Sequence, residues 1–227
     1  MSVFAISDLH LSLSADKPMD IFKGWSNYVQ RIDKNWRAVV TDKDTVVLPG
    51  DISWEMKLSD AVSDFAFINA LPGRKIILKG NHDLWWTSIK KQNEFLNENQ
   101  FDTIEFLHNS ATVADGKVIC GTRGWLIEES GTDSKLINRE AARLRMSLEA
   151  GAKLGDDLVV FLHYPPVTQQ NVCTEIVNVL KEYNVKHVYY GHIHGDSAIY
   201  AVNGEVDGIK YHLVSSDRVD FTPVLVR

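Results

Sequence analysis

The sequence predicts an α/β fold, in which helices cover layers of mixed β-sheet. Two observations support this prediction. Short apolar runs alternate with segments whose apolar residues recur at helical spacing, and the C-terminal part of the chain is rich in strand-forming residues. Such an order of elements is typical of a layered α/β domain. No internal repeat or linker divides the 227 residues, so we expect one domain over residues 1–227.

Six apolar runs are interpreted as buried strands because they are short and bounded by turn residues. They cover residues 3–7, 45–49, 75–79, 118–121, 158–162 and 186–190. Further strand patterns occur at 199–202, 211–214 and 224–226, with Asn203-Gly204 as a turn signal. The C-terminal patterns predict a meander of antiparallel strands.

Five segments between these runs have helical periodicity. In the first, apolar side chains recur from Val29 to Val40, and the second covers 58–65. The others cover about 86–97, 135–150 and 172–183, and we expect Asp133 or Ser134 to cap the fourth helix.

Bulk properties restrict the classes of function. A formal net charge of −6 argues against a non-specific nucleic-acid binder, so nucleic acid is considered only as a substrate. No apolar stretch approaches the ~20 residues that span a bilayer, so we expect no membrane partner. Two isolated cysteines and the absence of a signal-like N-terminus favour a cytoplasmic location.

Polar clusters directly follow five of the predicted strands. Because ligands collect beyond the carboxyl ends of strands in such sheets, we expect the clusters to meet at one edge of one sheet. They are Asp8-Leu9-His10, Gly50-Asp51, Gly80-Asn81-His82-Asp83, His163-Tyr164-Pro165-Pro166 and Gly191-His192-Ile193-His194.

Carboxylate, amide and imidazole groups together form a ligand set for two divalent transition metals. In the Asp-x-His and His-x-His patterns, residues i and i+2 of an extended segment point to the same side. Two divalent cations bring four positive charges. Asp8 and Asp51 neutralise two of them and a bound hydroxide a third, so the site stays cationic and should attract a phosphate.

Taken in order, these clusters resemble the motif set of calcineurin-like metallophosphoesterases, and the resemblance spans residues 8–194. It implies two stacked mixed β-sheets flanked by helices in four layers. It also implies that Asp8, His10 and His194 hold one metal, that Asn81, His163 and His192 hold the other, and that Asp51 bridges the two. The identity of the metals (Mn, Fe, Zn, Co or Ni) stays open.

The resemblance implies a catalytic role for the remaining residues of the third motif. His82 would contact the substrate phosphate, beside the metal ligand Asn81, and protonate the leaving oxygen, and Asp83 would orient His82. The arginines that Ser/Thr protein phosphatases carry after the second and third motifs are missing here, which makes that activity doubtful. Arg123 is a candidate substitute contact for the anionic substrate.

Several tryptophans follow a motif or a strand end, and they can either line a substrate pocket or pack the loops. We favour packing, because aromatic side chains are usually buried. The residues concerned are Trp54, Trp85, Trp86 and Trp125.

These observations predict a phosphoesterase that hydrolyses phosphate mono- or diesters by in-line attack of a metal-activated hydroxide. Its substrate would be a phosphorylated small molecule or a phosphodiester. Two alternatives remain. One is a nuclease or cyclic-nucleotide phosphodiesterase that uses the same site, and the other is a non-catalytic interaction scaffold of the same fold.

Overall fold

The computed structural model describes residues 1–125 and 134–227. These parts contain the strands β1 Val3–Ala5, β2 Thr45–Leu48, β3 Arg74–Ile77, β4 Ile104–Phe106, β5 Ala111–Ala114, β6 Lys117–Thr122, β7 Leu158–Leu162, β8 His187–Tyr190, β9 Gly204–Val206, β10 Ile209–Leu213 and β11 Val224–Leu225. The helices are α1 Tyr28–Val39, α2 Val62–Ala70, α3 Ile89–Glu98, α4 Ser134–Gly151 and α5 Thr174–Glu182.

The strands form two mixed sheets, which we call sheet one and sheet two. Sheet one has the order β11-β1-β2-β3-β4, and sheet two has the order β5-β6-β7-β8-β10-β9. The inner strands of each sheet run parallel, whereas β11, β5 and β9 pair antiparallel at the edges. The predicted α/β fold with two mixed sheets is therefore confirmed.

Alternation along the strands produces three apolar layers, because successive side chains of a strand point to opposite faces. In β2, Val47 packs in the layer between the sheets, opposite residues such as Phe161, while Val46 faces the helices α1, α2 and α3. In β7, Val160 faces α4 and α5. The order of layers is thus helices, sheet one, sheet two, helices.

The predicted helices are present with shifted ends. The second one begins as a 3₁₀ turn at Leu58–Asp60 and continues as α2, and the third begins three residues later than expected, at Ile89. Asp133, one of the two expected caps of α4, lies outside the described residues. Among the described helices, none has the length and apolar character needed to cross a membrane.

The predicted C-terminal meander is wrong. Residues 199–202 overlap a 3₁₀ turn, Gly195–Tyr200, and the hairpin turn between β9 and β10 lies at Asp207-Gly208. Both turn residues have positive φ, 51° and 78°, as a type I′ turn requires. The last strand, β11, pairs with β1 in sheet one, since the tertiary fold and not local pairing decides where a terminal strand adds.

Candidate metal centre

The predicted metal ligands converge where the carboxyl ends of both sheets meet. Sheet one brings Asp8 and His10 after β1, Asp51 after β2 and Asn81 after β3; sheet two brings His163 after β7, and His192 and His194 after β8. The expectation of one edge of one sheet is therefore corrected. Because the sheets stack, the ends of two sheets form the site together.

The first group of ligand atoms comprises Asp8, His10 and His194, whose ligand atoms all lie within 4.8 Å of one another. The His194 Nε2 atom is 3.0 Å from Asp8 Oδ1 and 3.4 Å from His10 Nε2. Asp8 and His10 are buried. This trio matches the residues that the resemblance implies for one metal.

The second group is centred on the amide oxygen of Asn81. This oxygen lies 2.6 Å from His163 Nε2 and 2.9 Å from His192 Nδ1. Asp51 lies between the groups, because its Oδ2 atom is 3.5 Å from His163 Nε2 and 3.7 Å from His10 Nε2. That position is the one a bridging carboxylate needs.

Two of the imidazoles have their outward nitrogen held by an acceptor. His163 Nδ1 is 3.0 Å from the Pro49 carbonyl oxygen, and His194 Nδ1 is 2.8 Å from Asp217 Oδ1. Each ring therefore donates from Nδ1 and directs Nε2 into the site, an arrangement that also orients metal-binding histidines in general.

Sequence reasoning missed Asp217. Its carboxylate also accepts a hydrogen bond from the Gly195 backbone N–H, so it holds the loop that carries His194. A signal was present, because the apolar run ending at Val214 is followed by Ser215-Ser216-Asp217, the same order of strand and polar cluster found in the five motifs.

Four of the seven ligand residues have a left-handed backbone conformation. The φ angles of these residues are 60° for Asp8, 46° for His10, 54° for Asp51 and 70° for His192. Non-glycine residues rarely adopt positive φ, and such conformations cluster at functional sites. The tight loops that follow the strands hold these side chains in place at the expense of local strain.

The motif glycines leave space for carboxylates. A Cβ atom added to Gly80 would lie 2.1 Å from Asp51 Oδ1, and one added to Gly191 would lie 2.2 Å from Asp8 Oδ2. Both distances are far below van der Waals contact. The glycines therefore allow neighbouring loops to approach the two buried carboxylates.

Asp83, which is expected to orient His82, lies at a junction between two loops. The Asp83 carboxylate is buried and accepts three backbone hydrogen bonds, from the N–H groups of Asp51 (2.9 Å), Ile52 (2.8 Å) and Gly80 (2.7 Å). Asp83 therefore ties the Asp51 loop to the Gly80 loop. Through these bonds it positions both loops, and its role in orienting His82 stays a prediction.

His82 lies at the mouth of the site. Its backbone N–H donates to Asp51 Oδ1 at 2.8 Å, and its half-buried ring packs against Trp54 with ring centroids 4.4 Å apart. Trp54 also stacks on His10, at a centroid distance of 4.9 Å. These contacts place the His82 imidazole beside the predicted metal ligands.

A mainly apolar cavity of about 380 Å³ opens next to these rings. We call it the apolar pocket; it is lined by His10, Met19, Phe22, Lys23, Trp25, Trp54, His82, His194, Gly195 and Asp196. The predicted packing role of the tryptophans holds for buried Trp85, which contacts Phe65 edge to face. Trp54 lines the pocket, and so does Trp25, which sequence reasoning did not single out.

Arg123 lies in a different cavity. The Arg123 guanidinium contributes to a pocket of about 200 Å³ whose lining includes none of the seven predicted ligands. Its backbone carbonyl accepts hydrogen bonds from the N–H groups of His163 (3.1 Å) and Tyr164 (2.9 Å). Arg123 thus supports a ligand loop through its backbone, while its side chain points elsewhere.

Burial dominates the electrostatics of the site. It lowers the pKa of His10 to about 3 and, with the charge of His163, that of His192 to about 3, so both rings are neutral, as metal binding requires. Burial and the nearby charge of Asp8 raise the pKa of Asp51 to about 8. Burial opposes the His194 imidazolium, but Asp8 and Asp217 raise its pKa to about 10.

This donor set fits divalent cations. With its Nδ1–H donated to Pro49, a neutral His163 directs an Nε2 lone pair at the Asn81 amide oxygen, which is 2.6 Å away and also an acceptor. Two acceptors repel at this distance unless a cation lies between them. At the first group, a proton on His194 Nε2 occupies the place that a cation would take beside Asp8.

Comparison with known proteins agrees with the motifs and the geometry. The family model described as calcineurin-like phosphoesterase matches residues 1–196, so the chain belongs to the calcineurin-like phosphoesterases. Comparison with the curated proteins gives no significant match.

Two solved structures share the fold. One is AQ665 from Aquifex aeolicus, described as a protein of unknown function, with a TM-score of 0.54 and 21% identity. The other is a phosphopantetheinyl hydrolase (PptH) from Mycobacterium tuberculosis, with a TM-score of 0.58 and 13% identity. Each alignment covers 99% of this chain and 95% of the other. At these identities the likeness concerns the fold alone.

Proposed function

We propose that this calcineurin-like phosphoesterase hydrolyses phosphate esters with two divalent transition metal ions. Asp8, His10 and His194 hold one ion, Asn81, His163 and His192 hold the other, and Asp51 bridges them. The observation that carries the proposal is the close approach of two acceptors, His163 Nε2 and Asn81 Oδ1, which a cation relieves.

When bound, two such ions neutralise phosphate charge and provide a nucleophile near neutral pH. The protein's own residues then orient the ester. The half-buried His82 ring, fixed by Trp54 and by the backbone bond to Asp51, faces the same opening as His10 and His194. Burial lowers its pKa, which makes a protonated His82 ring a stronger acid than a free imidazolium, and we assign to it the protonation of the leaving oxygen.

The apolar pocket accommodates the leaving group. Met19, Phe22, Trp25 and Trp54 provide most of its apolar surface, and it adjoins His82, the proposed proton donor. Flat or branched apolar groups bury well against such side chains. We therefore propose an ester whose alcohol carries an apolar or aromatic portion of a few carbon atoms or more.

The first test compares the wild-type chain with Asp51→Asn after reconstitution with each candidate metal. We expect two ions per wild-type chain and hydrolysis of aryl phosphomonoesters or phosphodiesters. Asp51→Asn should abolish turnover, because the bridge loses its charge, whereas the exposed Asp102→Asn should behave as wild type. Metal content is measured by mass spectrometry and turnover by product release.

Several outcomes separate the alternatives. A chain that binds no metal and hydrolyses no ester would support the interaction scaffold, and a fully active Asp51→Asn protein with both ions bound would refute the proposed bridge. Strong preference for polynucleotides or cyclic nucleotides in the same screen would support the nuclease or cyclic-nucleotide phosphodiesterase alternative.

A second test concerns the leaving group. Phe22→Ala should raise KM for esters with a bulky apolar alcohol by about tenfold, which corresponds to the loss of part of one buried ring, and should leave kcat for methyl phosphate unchanged. Ile21→Ala is the matched control, because Ile21 is exposed and does not line the pocket. Equal KM values for bulky and small esters in Phe22→Ala would contradict the assignment.

We also propose a reducing, cytoplasmic setting for this activity. Cys120 and Cys173 are both buried free thiols, and burial raises the pKa of Cys120 to about 12. Their burial in separate places supports a chain that needs no disulfide.

A further inference from the structure

A second cavity, on the flank of the metal centre, is lined by basic side chains. It has a volume of about 200 Å³ and is formed by residues after β3, β4 and β6 and by one face of α4. We define the basic pocket by its cationic and titratable side chains, which are Lys79, His108, Arg123, Arg139 and Arg143.

Positive charge in the basic pocket exceeds negative charge. Among the described residues, the buried carboxylate of Glu140 faces the three arginines, and both Glu140 and Asp83 act electrostatically on Lys79. Its Oε1 atom is 2.6 Å from Arg143 Nη1, but 3.5 Å from Arg123 Nη2 and 3.9 Å from Arg139 Nε. One oxygen cannot satisfy three guanidinium groups, so positive charge remains in excess in a concave, partly desolvated site.

The Arg123 side chain is fixed by packing and has a buried donor atom that no described residue pairs with. Its guanidinium lies over the Trp125 ring, 4.8 Å from the centroid, and its side chain is only 19% exposed. The Nε atom is buried and has no hydrogen-bond partner among the residues that the structure describes. A buried donor without a partner is unfavourable unless a ligand or water accepts from it.

The size of the cavity suits a single anionic group. A water molecule takes about 30 Å³, so 200 Å³ holds a phosphate-sized anion with a few waters but not a polynucleotide strand. Arginine forks and a lysine are the side chains that recognise phosphate most often.

The basic pocket and the metal centre share two loops. Lys79 lies two residues before Asn81, and the Arg123 carbonyl accepts from the His163 backbone N–H at 3.1 Å. An anion bound in the basic pocket therefore contacts two loops that also carry proposed metal ligands.

We infer that the basic pocket is a second anion site, which binds a phosphate group other than the one at the metals. The group comes either from a substrate that carries a second phosphate or from a free phosphate acting as an effector. Phosphate binding in the basic pocket does not require catalysis, whereas its assignment to a substrate rests on the proposed function.

The test titrates inorganic phosphate into the metal-loaded full chain by calorimetry. We expect two binding sites per wild-type chain, and we expect Arg139→Gln/Arg143→Gln to weaken one of them at least about tenfold because two charged donors are lost. Arg145→Gln is the matched control, since Arg145 lies on the same helix and pairs with Glu182 outside the pocket.

Folding of the double variant is checked by its melting temperature. Arg139→Gln alone, at a position that is half exposed and makes the longest contact with Glu140, provides a milder variant with the same expected direction. Unchanged phosphate binding in both variants would overturn the inference. If the metal centre were inactive, one site should still be seen in the wild type and lost in the double variant.

Kinetics identifies the source of the phosphate. If it belongs to the substrate, the double variant should raise KM at least about tenfold for an ester with a second phosphate and not for a monophosphate. If it is an effector, added inorganic phosphate should change the turnover of a monophosphate by the wild type. The part of this change that arises from the basic pocket should be absent in the double variant. If the double variant kept wild-type phosphate binding and neither kinetic change occurred, the inference would be refuted.

Discussion

The loops that follow sheet one and those that follow sheet two hold their metal-binding side chains in different ways. Sheet one contributes both carboxylates, and three of its four ligand residues, Asp8, His10 and Asp51, have positive φ. Sheet two contributes imidazoles, two of which are oriented by acceptors on their outer nitrogen, the Pro49 carbonyl and Asp217.

This difference follows from the chemistry of the ligands. A carboxylate can bridge two ions only if the backbone brings it deep into the site, so sheet one depends on tight loops and on space next to glycine. An imidazole has a second nitrogen that can be held from outside, so sheet two depends on hydrogen-bond acceptors. Substitutions on the sheet-one side should therefore lower metal affinity by filling the space that a carboxylate needs. Substitutions on the sheet-two side should lower it by changing the orientation of an imidazole ring.

The largest effect is expected for Gly80→Ala. The new Cβ atom would lie 2.1 Å from Asp51 Oδ1, so the bridging carboxylate or the loop must move. We expect metal affinity to fall by about 100-fold, the upper end of the range for lost supporting contacts. Competition with a chelator measures it. Gly155→Ala is the control, because its Cβ would meet only the Val118 side chain. Wild-type metal affinity in Gly80→Ala would argue against the close approach of the Asp51 carboxylate to Gly80.

A smaller effect is expected for Asp217→Asn in the other half. The amide can still contact His194 Nδ1 but no longer provides a charge that fixes the tautomer. Affinity for one of the two metals should fall by roughly tenfold, the lower end of the same range. Metal stoichiometry at limiting concentration measures the change. Asp220→Asn, at an exposed position paired with Arg31, should leave binding unchanged.

If Asp217→Asn weakened the binding of both ions equally, the claim that Asp217 acts on one of the two metal sites would be wrong. Asp217→Glu should restore part of the affinity, since a carboxylate is present again near the ring.

The smallest effect on turnover is expected for Asp83→Asn. This residue accepts three backbone N–H groups, and its amide would direct donors at donors, so we expect a loss of roughly 2 kcal/mol in the free energy of unfolding. Urea unfolding of the metal-loaded chain measures it. Because Asp83 does not contact the His82 ring, the shape of the pH profile of kcat should remain that of the wild type.

A changed pH profile with unchanged stability would instead support the original expectation that Asp83 orients His82. His82→Asn serves as the reference, since it should alter the profile while the loop junction at Asp83 stays intact.

Much of the metal centre is predictable from the sequence because its signals are local. An apolar run followed by Asp-x-His or His-x-His indicates a strand, the point where it ends and the types of ligand, all within about ten residues. The seven residues proposed as ligands by that reasoning all lie close together in the structure, as the distances around Asn81 and His194 illustrate. The layered α/β character follows from the same local signals, and the two mixed sheets follow from the family resemblance that the motifs carry.

The remaining features depend on contacts between distant parts of the chain. The hydrogen bond between Asp83 and the Asp51 backbone joins residues 32 positions apart in the sequence, and the one between Asp217 and His194 joins residues 23 positions apart. The strands β5 and β9 carry weak apolar patterns because they lie at sheet edges and are only partly buried, and β4 is an edge strand of three residues. The basic pocket joins side chains from Lys79 to Arg143, and no window of the sequence contains them together.

The sequence by itself thus determined the ligand types, the strands that precede them and the family, because hydrophobic periodicity and donor chemistry are properties of short segments. Only the tertiary structure decided that two stacked sheets share the site, that Asp83 joins two loops and that Arg123 faces a separate pocket. Those features arise from packing in three dimensions, because the tertiary fold and not the local sequence determines which distant residues come into contact.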